Sequence, residues 1–200
     1  RKVDSIFTRS DLQKMAEVIK KEGSIQQGES RIIQNLLRFN QIQVRKIMTP
    51  RTVVLAEDQN ITIADIRPRI NNIPFSRIPV YETNIDEITG FVLKDDLLKE
   101  MAEDQGKTPL KDIAREIHVV HASINALTAL DELIQHKAHI SLVVDEYGGT
   151  EGVITIEDVV EALLGLEIID ETDRARDMQK VAKQRWLERR RRIGLSDKEA

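Results

Sequence analysis

The stretch Leu142-Val143-Val144-Asp145-Glu146-Tyr147-Gly148-Gly149-Thr150-Glu151-Gly152-Val153-Ile154-Thr155-Ile156-Glu157-Asp158-Val159-Val160 reads as an apolar strand, a glycine turn, a second strand, and a helix opening on Thr155 with Asp158 three residues in. An earlier segment repeats it in degenerate form. Arg77-Ile78-Pro79-Val80-Tyr81 stands for the first strand, and Gly90-Phe91-Val92-Leu93-Lys94-Asp95-Asp96-Leu97-Leu98 for the second strand and its helix. Gly90 aligns with Gly152, Asp96 with Asp158 and Val80 with Val144; upstream, Val44-Arg45-Lys46-Ile47 aligns with Leu110-Lys111-Asp112-Ile113. The offset drifts from about 62 to 66 residues, as loop-length changes produce in an internal duplication; a solenoid of identical units would hold it constant. Two copies predict one pseudo-twofold α+β domain with a site between them.

Working outward, each copy predicts the same order: a short strand (Val53-Val54-Leu55; Val119-Val120), a helix, an apolar strand, a turn, a second strand and a closing helix. The second closing helix carries Ile156, Val159, Val160, Leu163 and Leu164 on one stripe and stops at Gly165. The early helix of the first copy, near Ile63 to Asn72, contains Pro68, which lacks a backbone donor and predicts a kink or break. Before the repeats, Thr8-Arg9-Ser10-Asp11 resembles a capping box for a helix with Leu12, Met15, Ala16 and Ile19 on one face, ended by Gly23. A second helix presents Ile32, Ile33, Leu36 and Leu37 on one side. The pattern divides the chain at 1–42 (adaptor helices), 43–105 (first repeat), 106–173 (second repeat) and 174–200 (a basic C-terminal helix).

Composition sets limits. Of 200 residues 40% are hydrophobic but only seven are aromatic, which fits a Leu/Ile/Val core in mixed α and β packing. Net charge is −4, so the chain as a whole has no bias toward polyanions. The charge is nonetheless uneven: residues 145–173 hold ten Asp or Glu and no Lys or Arg, and residues 174–192 hold nine Lys or Arg against two acids. The absence of cysteine excludes disulfides, thiol nucleophiles and thiolate metal sites. No run approaches the ~18 apolar residues of a membrane span, and no signal peptide is evident. The opening Arg1 suggests a piece of something longer.

Thr155 and Asp158 are the first candidates for chemistry. Free amides and the positive dipole end at a helix start favour an anion such as phosphate; a threonine hydroxyl adds a hydrogen bond, and a carboxylate one turn in can accept both ribose hydroxyls. The same Thr-x-x-Asp is also a capping box worth about 0.5–2 kcal/mol with no ligand. Both readings stand on the residues alone. Leu93 replaces the threonine in the first copy while Asp96 is kept, which predicts one competent site per repeat pair.

Here a resemblance becomes specific. The motifs Ile47-Met48-Thr49-Pro50-Arg51, Phe75-Ser76-Arg77-Ile78-Pro79-Val80-Tyr81, Val144-Asp145-Glu146-Tyr147-Gly148-Gly149 and Gly152-Val153-Ile154-Thr155-Ile156-Glu157-Asp158 resemble a tandem pair of cystathionine-β-synthase-type (CBS) domains, over about Thr8 to Asp173. More narrowly they are similar to the cytoplasmic region of the CorC and cyclin M family, often labelled hemolysin-like and implicated in magnesium and cobalt efflux. The resemblance implies a regulatory module binding an adenine nucleotide, ATP or AMP, with Mg²⁺, in the cleft between its repeats. It implies Thr155 on phosphate, Asp158 on ribose, Glu157 near the nucleotide or its metal, Arg77 on phosphate, and Thr49 and Ile78 lining the adenine pocket. It further implies a transmembrane domain ahead of the adaptor helices, a homodimer formed through the CBS helices, and a place at the cytoplasmic face of a bacterial inner membrane. Two departures stand out: Pro68 breaks a helix that is usually continuous, and a basic helix stands where many members carry a further domain.

The remaining candidates are weaker. The acidic run Glu167-Ile168-Ile169-Asp170-Glu171-Thr172-Asp173 reads as a solvated loop or a low-affinity cation sensor. The tail Lys180, Lys183, Arg185 and Arg189 to Arg192 reads as a solvated or self-associating helix, or as a contact with anionic lipid. Nucleic acid is disfavoured, because Trp186 is the run's only aromatic. His118, His121, His136 and His139 lack the spacing and number of a closed metal site, and His139 is expected to pack at its strand start in the position of Phe75. Catalytic residues are not expected. Asp95 with Asp96 and Glu157 with Asp158 point about 100° apart on a helix, and Gly148-Gly149 lacks the lysine of a phosphate loop.

Overall fold

The apolar strands pair as the duplication requires. In the computed structural model, which describes residues 26–165 together with Asp11 and Met15, β1 (Thr49–Pro50) and β2 (Glu57–Asp58) are short edge strands on two different sheets. β3 (Arg77–Tyr81) lies between β2, to which it is parallel, and β4 (Ile88–Leu93), to which it is antiparallel. The second repeat answers with β5 (His118–His121), β6 (Ile140–Val144) and β7 (Thr150–Thr155) in the same relation. β1 then adds antiparallel to the far edge of β7, giving the order β1-β7-β6-β5.

The helices follow from capping and periodicity. α1 (Gln27–Phe39) precedes the repeats; α2 (Ile63–Ile66) and α3 (Lys94–Ala102) belong to the first, α4 (Ala126–Gln135) and α5 (Ile156–Leu164) to the second. α2 begins in a Thr62/Asp65 capping box and stops after four residues. A turn through Pro68 and a 3-10 segment, Ile70–Asn72, take its place, as the missing donor of Pro68 requires. Its counterpart α4 has no proline and runs ten residues from an Asn125 cap. α5 ends on Gly165 in the left-handed conformation, φ 63°.

Packing shows why the two halves form one unit. One core gathers Ile63, Ile66, Ile78, Val80, Val92 and Leu97 of the first repeat together with Leu110, which opens the second. The other gathers Val120, Leu133, Val143, Ile154 and Val159 of the second repeat together with Val44 and Met48, which open the first, and Phe39 of α1 ahead of it. Backbone hydrogen bonds mirror the exchange, Val44 N–H to Ile124 C=O (2.9 Å) and Leu110 N–H to Ile61 C=O (2.9 Å). Each repeat's opening segment thus completes the other's core. A third cluster, Ile88, Leu142 and Val144 with Tyr81, Ile85 and Ile117 against it, joins residues of the two sheets.

Three expectations are corrected. Val53-Val54-Leu55 is turn and irregular chain; the strand is Glu57–Asp58, placed by its parallel pairing with Val80 and Tyr81 and not by its own apolar content. Val80 is equivalent to Val143 and not Val144, since Val80 pairs with Gly90 as Val143 pairs with Gly152. The run Leu142-Val143-Val144 of β6 is buried on both faces and carries no alternation to fix register from sequence. On α1 the side that carries Ile32, Ile33 and Leu36 is exposed, and Ser30 and Phe39 are buried. His139 is exposed and matches Ser76, one residue from the expected partner. The first adaptor helix, apart from helical Asp11 and Met15, the acidic run 167–173 and the basic tail lie outside the described residues.

Candidate functional site

The junction of β7 and α5 is built by Thr155. Its backbone is still extended (φ −118°, ψ 166°), its Oγ1 accepts from Asp158 N–H at 3.2 Å, and its own N–H donates to Asp158 Oδ2 at 2.7 Å. The hydroxyl also donates to Oδ2, at 3.0 Å. The capping box is therefore complete, and its carboxylate half rests on one oxygen, Oδ2. Among the described residues none of these bonds reaches Asp158 Oδ1, which leaves that oxygen able to accept. Burial pushes the Asp158 carboxyl up to about 7, against the lowering effect of the two Thr155 hydrogen bonds, and Glu161 and Glu157 raise it further. The group thus titrates near neutrality.

Thr49 reaches the same junction from a segment far back in the chain. β1 pairs Thr49 with Val153 and Pro50 with Gly152, so Thr49 is registered two residues from Thr155. The approach requires a glycine, because a Cβ on Gly152 would run into the Thr49 carbonyl. Glu157, second in α5, is exposed beside the acceptor. Thr49, Thr155, Glu157 and Asp158 are therefore brought to one place, with Thr49 contributed across the exchange of opening segments.

Arg77 and Ile78 stand apart on β3 of the other sheet, and a ligand on Thr155 engages them only by bridging both repeats. Arg77 is half-buried. Ile78 is fully buried in the first core, so its side chain cannot line an adenine pocket without repacking that core. What remains is its backbone: β2 pairs only with Val80 and Tyr81 and does not run alongside Ile78. A shallow groove that includes Met48, Arg51, Asp145 and Glu151 lies toward the Thr150 end of β7, away from Thr155, and contains none of the candidates. His118 stacks on His136 at 4.1 Å and approaches Glu132 at 3.4 Å; among the described residues no group of three or more His, Asp or Glu could hold a metal.

At the equivalent junction of the first repeat, α3 starts after Leu93 with no side-chain cap, and Asp96 Oδ2 accepts from Arg115 Nη2 at 2.8 Å. Arg115 went unnoticed in the sequence. Carrying the alignment of Ile47 with Ile113 two residues further matches it to Thr49.

Comparisons with known proteins agree with this architecture. The CBS domain model matches residues 44–103 and 110–165. Among curated proteins, the UPF0053 protein sll1254 of Synechocystis is 36% identical over 165 residues, 82% of this chain and 47% of that protein. Hemolysin C of Rickettsia prowazekii is 35% identical over 150 residues, 74% of this chain and 49% of that protein. The chain thus spans about half the length of these relatives. Among solved structures, the CBS domain of the bacterial CNNM/CorC family Mg²⁺ transporter is 33% identical with a TM-score of 0.76, over 82% of this chain and all of that one. The CBS domain of the bacterial CNNM/CorC family Mg²⁺ transporter in complex with ATP is 34% identical with a TM-score of 0.66, over 69% and 98%. A CBS-domain pair with bound AMP from Klebsiella pneumoniae is 28% identical with a TM-score of 0.57, over 62% and 99%.

Proposed function

Because the chain belongs to the CBS-domain family, as a CBS pair of the CNNM/CorC kind, we propose that it is a regulatory module that binds an adenine nucleotide at the β7–α5 junction and gates an attached magnesium or cobalt transporter. The observation that carries this reading is the state of Asp158. One carboxylate oxygen is committed to the cap and the other is left able to accept, the arrangement a ribose diol needs. Backbone amides at the start of α5 favour the phosphates. Relatives of this fold with ATP and with AMP supply the class of ligand.

Mg²⁺ fits as a companion of the phosphates. This ion keeps several waters and takes one or two carboxylates plus substrate phosphates; Glu161 and Glu157 are the carboxylates whose charge acts on Asp158, and Glu157 is the exposed one. When bound, the ion would neutralise phosphate charge. Glu157 would hold it, Thr155 would turn its one hydroxyl proton from Asp158 Oδ2 to a phosphate oxygen, and Asp158 would accept from the ribose. Gating then works by differential affinity: the nucleotide biases the transporter to the extent that it binds one arrangement of the module more tightly. Apolar side chains exposed on α1, α3 and α4, namely Ile32, Ile33, Leu36, Leu98, Leu127 and Ile134, are the surface through which a homodimer would form. The rival reading is a dimerisation scaffold with vestigial pockets, and the first-repeat junction favours it there.

A thermal-shift series with AMP, ADP and ATP, each with and without Mg²⁺, tests the proposal. Ligand at 100 times its dissociation constant stabilises by about 2.7 kcal/mol. No shift with any nucleotide would leave the scaffold reading.

A further inference from the structure

The duplication gives each repeat a strand–helix junction, and the first, between β4 and α3, differs from the second, between β7 and α5, in a way that specifies its role. Strand register equates Leu93 with Thr155, because Leu93 faces Arg77 as Thr155 faces Ile140. Asp96 then stands for Asp158. The counterpart of Thr49 is fixed independently by the glycines: a Cβ on Gly152 would strike the Thr49 carbonyl, and one on Gly90 would meet the Arg115 carbonyl oxygen at 2.5 Å. Arg115 exchanges two backbone hydrogen bonds with Phe91, at 2.8 and 3.0 Å, and Thr49 pairs with Val153, the residue equivalent to Phe91. Arg115 therefore holds in the first junction the place that Thr49 holds in the second.

The two junctions consequently offer opposite chemistry. In the second, the position equivalent to Arg115 is the small neutral Thr49, and the Asp158 carboxylate bonds to Thr155 use Oδ2 alone. In the first, a guanidinium already donates to Asp96 at 2.8 Å, and Leu93 brings no hydroxyl. Ribose hydroxyls need a carboxylate that still accepts, and a guanidinium competes for that carboxylate where a threonine does not.

We propose that Arg115 is the specificity-determining residue that closes the first junction to adenosine ligands and confines the module to one nucleotide per chain. The proposal rests on the nucleotide reading of the second junction, and the experiment separates the two. ATP with Mg²⁺ is titrated calorimetrically into the wild-type chain and into Asp158→Ala. One site in the former and none in the latter is the expected pair, whereas a wild-type chain that takes up no ATP ends the nucleotide reading and this proposal with it. In the Asp158→Ala background, Leu93→Thr with Arg115→Thr is expected to bind one ATP at least about tenfold more tightly than Leu93→Thr alone. If that combination fails to fold, Leu93→Thr with Arg115→Gln replaces it, and ATP is expected to shift the amide signals of Gly90 and Asp96. The proposal is overturned by two nucleotides bound per wild-type chain. It is equally overturned by folded Arg115 variants that stay closed to ATP, or by binding as tight with Arg115 retained as without it.

Discussion

The carbonyl oxygen of Thr49 fills the space that a side chain on Gly152 would occupy. This contact brings an N-terminal residue to a site otherwise built from residues beyond 150, and it is repeated between Arg115 and Gly90. Gly152→Ala and Gly90→Ala should each destabilise the chain by about 1–3 kcal/mol, since the obstructing atom is backbone and cannot swing aside. Urea unfolding measures the cost. Only Gly152→Ala should also weaken nucleotide binding, because only it displaces Thr49 from the β7–α5 junction.

Thr155 caps the helix and in the proposed site would also hold the ligand, and two substitutions separate the roles. Thr155→Ser keeps the hydroxyl and is expected to retain both stability and binding. Thr155→Ala should cost about 0.5–2 kcal/mol without nucleotide and abolish most of the thermal shift with it. Equal shifts for Ala and wild type would restrict Thr155 to capping.

Asp158 makes stability and binding depend on pH in opposite senses. Its carboxyl is raised from 3.8 to about 7 in the folded chain, so between those values the folded state holds a proton that the unfolded state has lost. Stability from this group is fully present below pH 3.8, falls as pH rises through the window and levels off above about 7. Asp158→Asn should flatten that slope in urea titrations between pH 5 and 8. A ribose diol prefers the ionised acceptor, so ATP affinity should rise toward pH 8, by up to about tenfold per pH unit below 7. Affinity independent of pH would remove the carboxylate from the contact.

The exchange of opening segments makes the repeats interdependent. A fragment covering 44–103 lacks Leu110, which is fully buried in the first core, and strands Val44 and Met48 without theirs. A fragment covering 49–116 keeps that core intact. Circular dichroism and amide dispersion should find the second fragment the more folded of the two. The reverse result would contradict the exchange.

Much of this was legible because local and tertiary signals agree. The stripe on α5, the Thr155 cap and the Pro68 break are each fixed within a few neighbouring residues, and the structure has all three. Elements fixed by distant partners were misread. Glu57–Asp58 is a strand only because β3 lies beside it, and the slip between Val143 and Val144 arose in a run buried throughout. Ile78 was carried to the pocket by resemblance, whereas its side chain belongs to the core. Asp158 was legible as a residue type at a helix start, but the division of labour between its two oxygens is a matter of three-dimensional geometry.

The most direct test is a titration of ATP with Mg²⁺ into the wild-type chain and into Asp158→Ala, with the unfolding free energy of each measured alongside. The expected result is one ATP per wild-type chain and binding weakened at least about 100-fold in the variant, equivalent to roughly 2.7 kcal/mol, while the variant remains cooperatively folded. A folded Asp158→Ala chain that binds ATP as tightly as wild type would contradict the account.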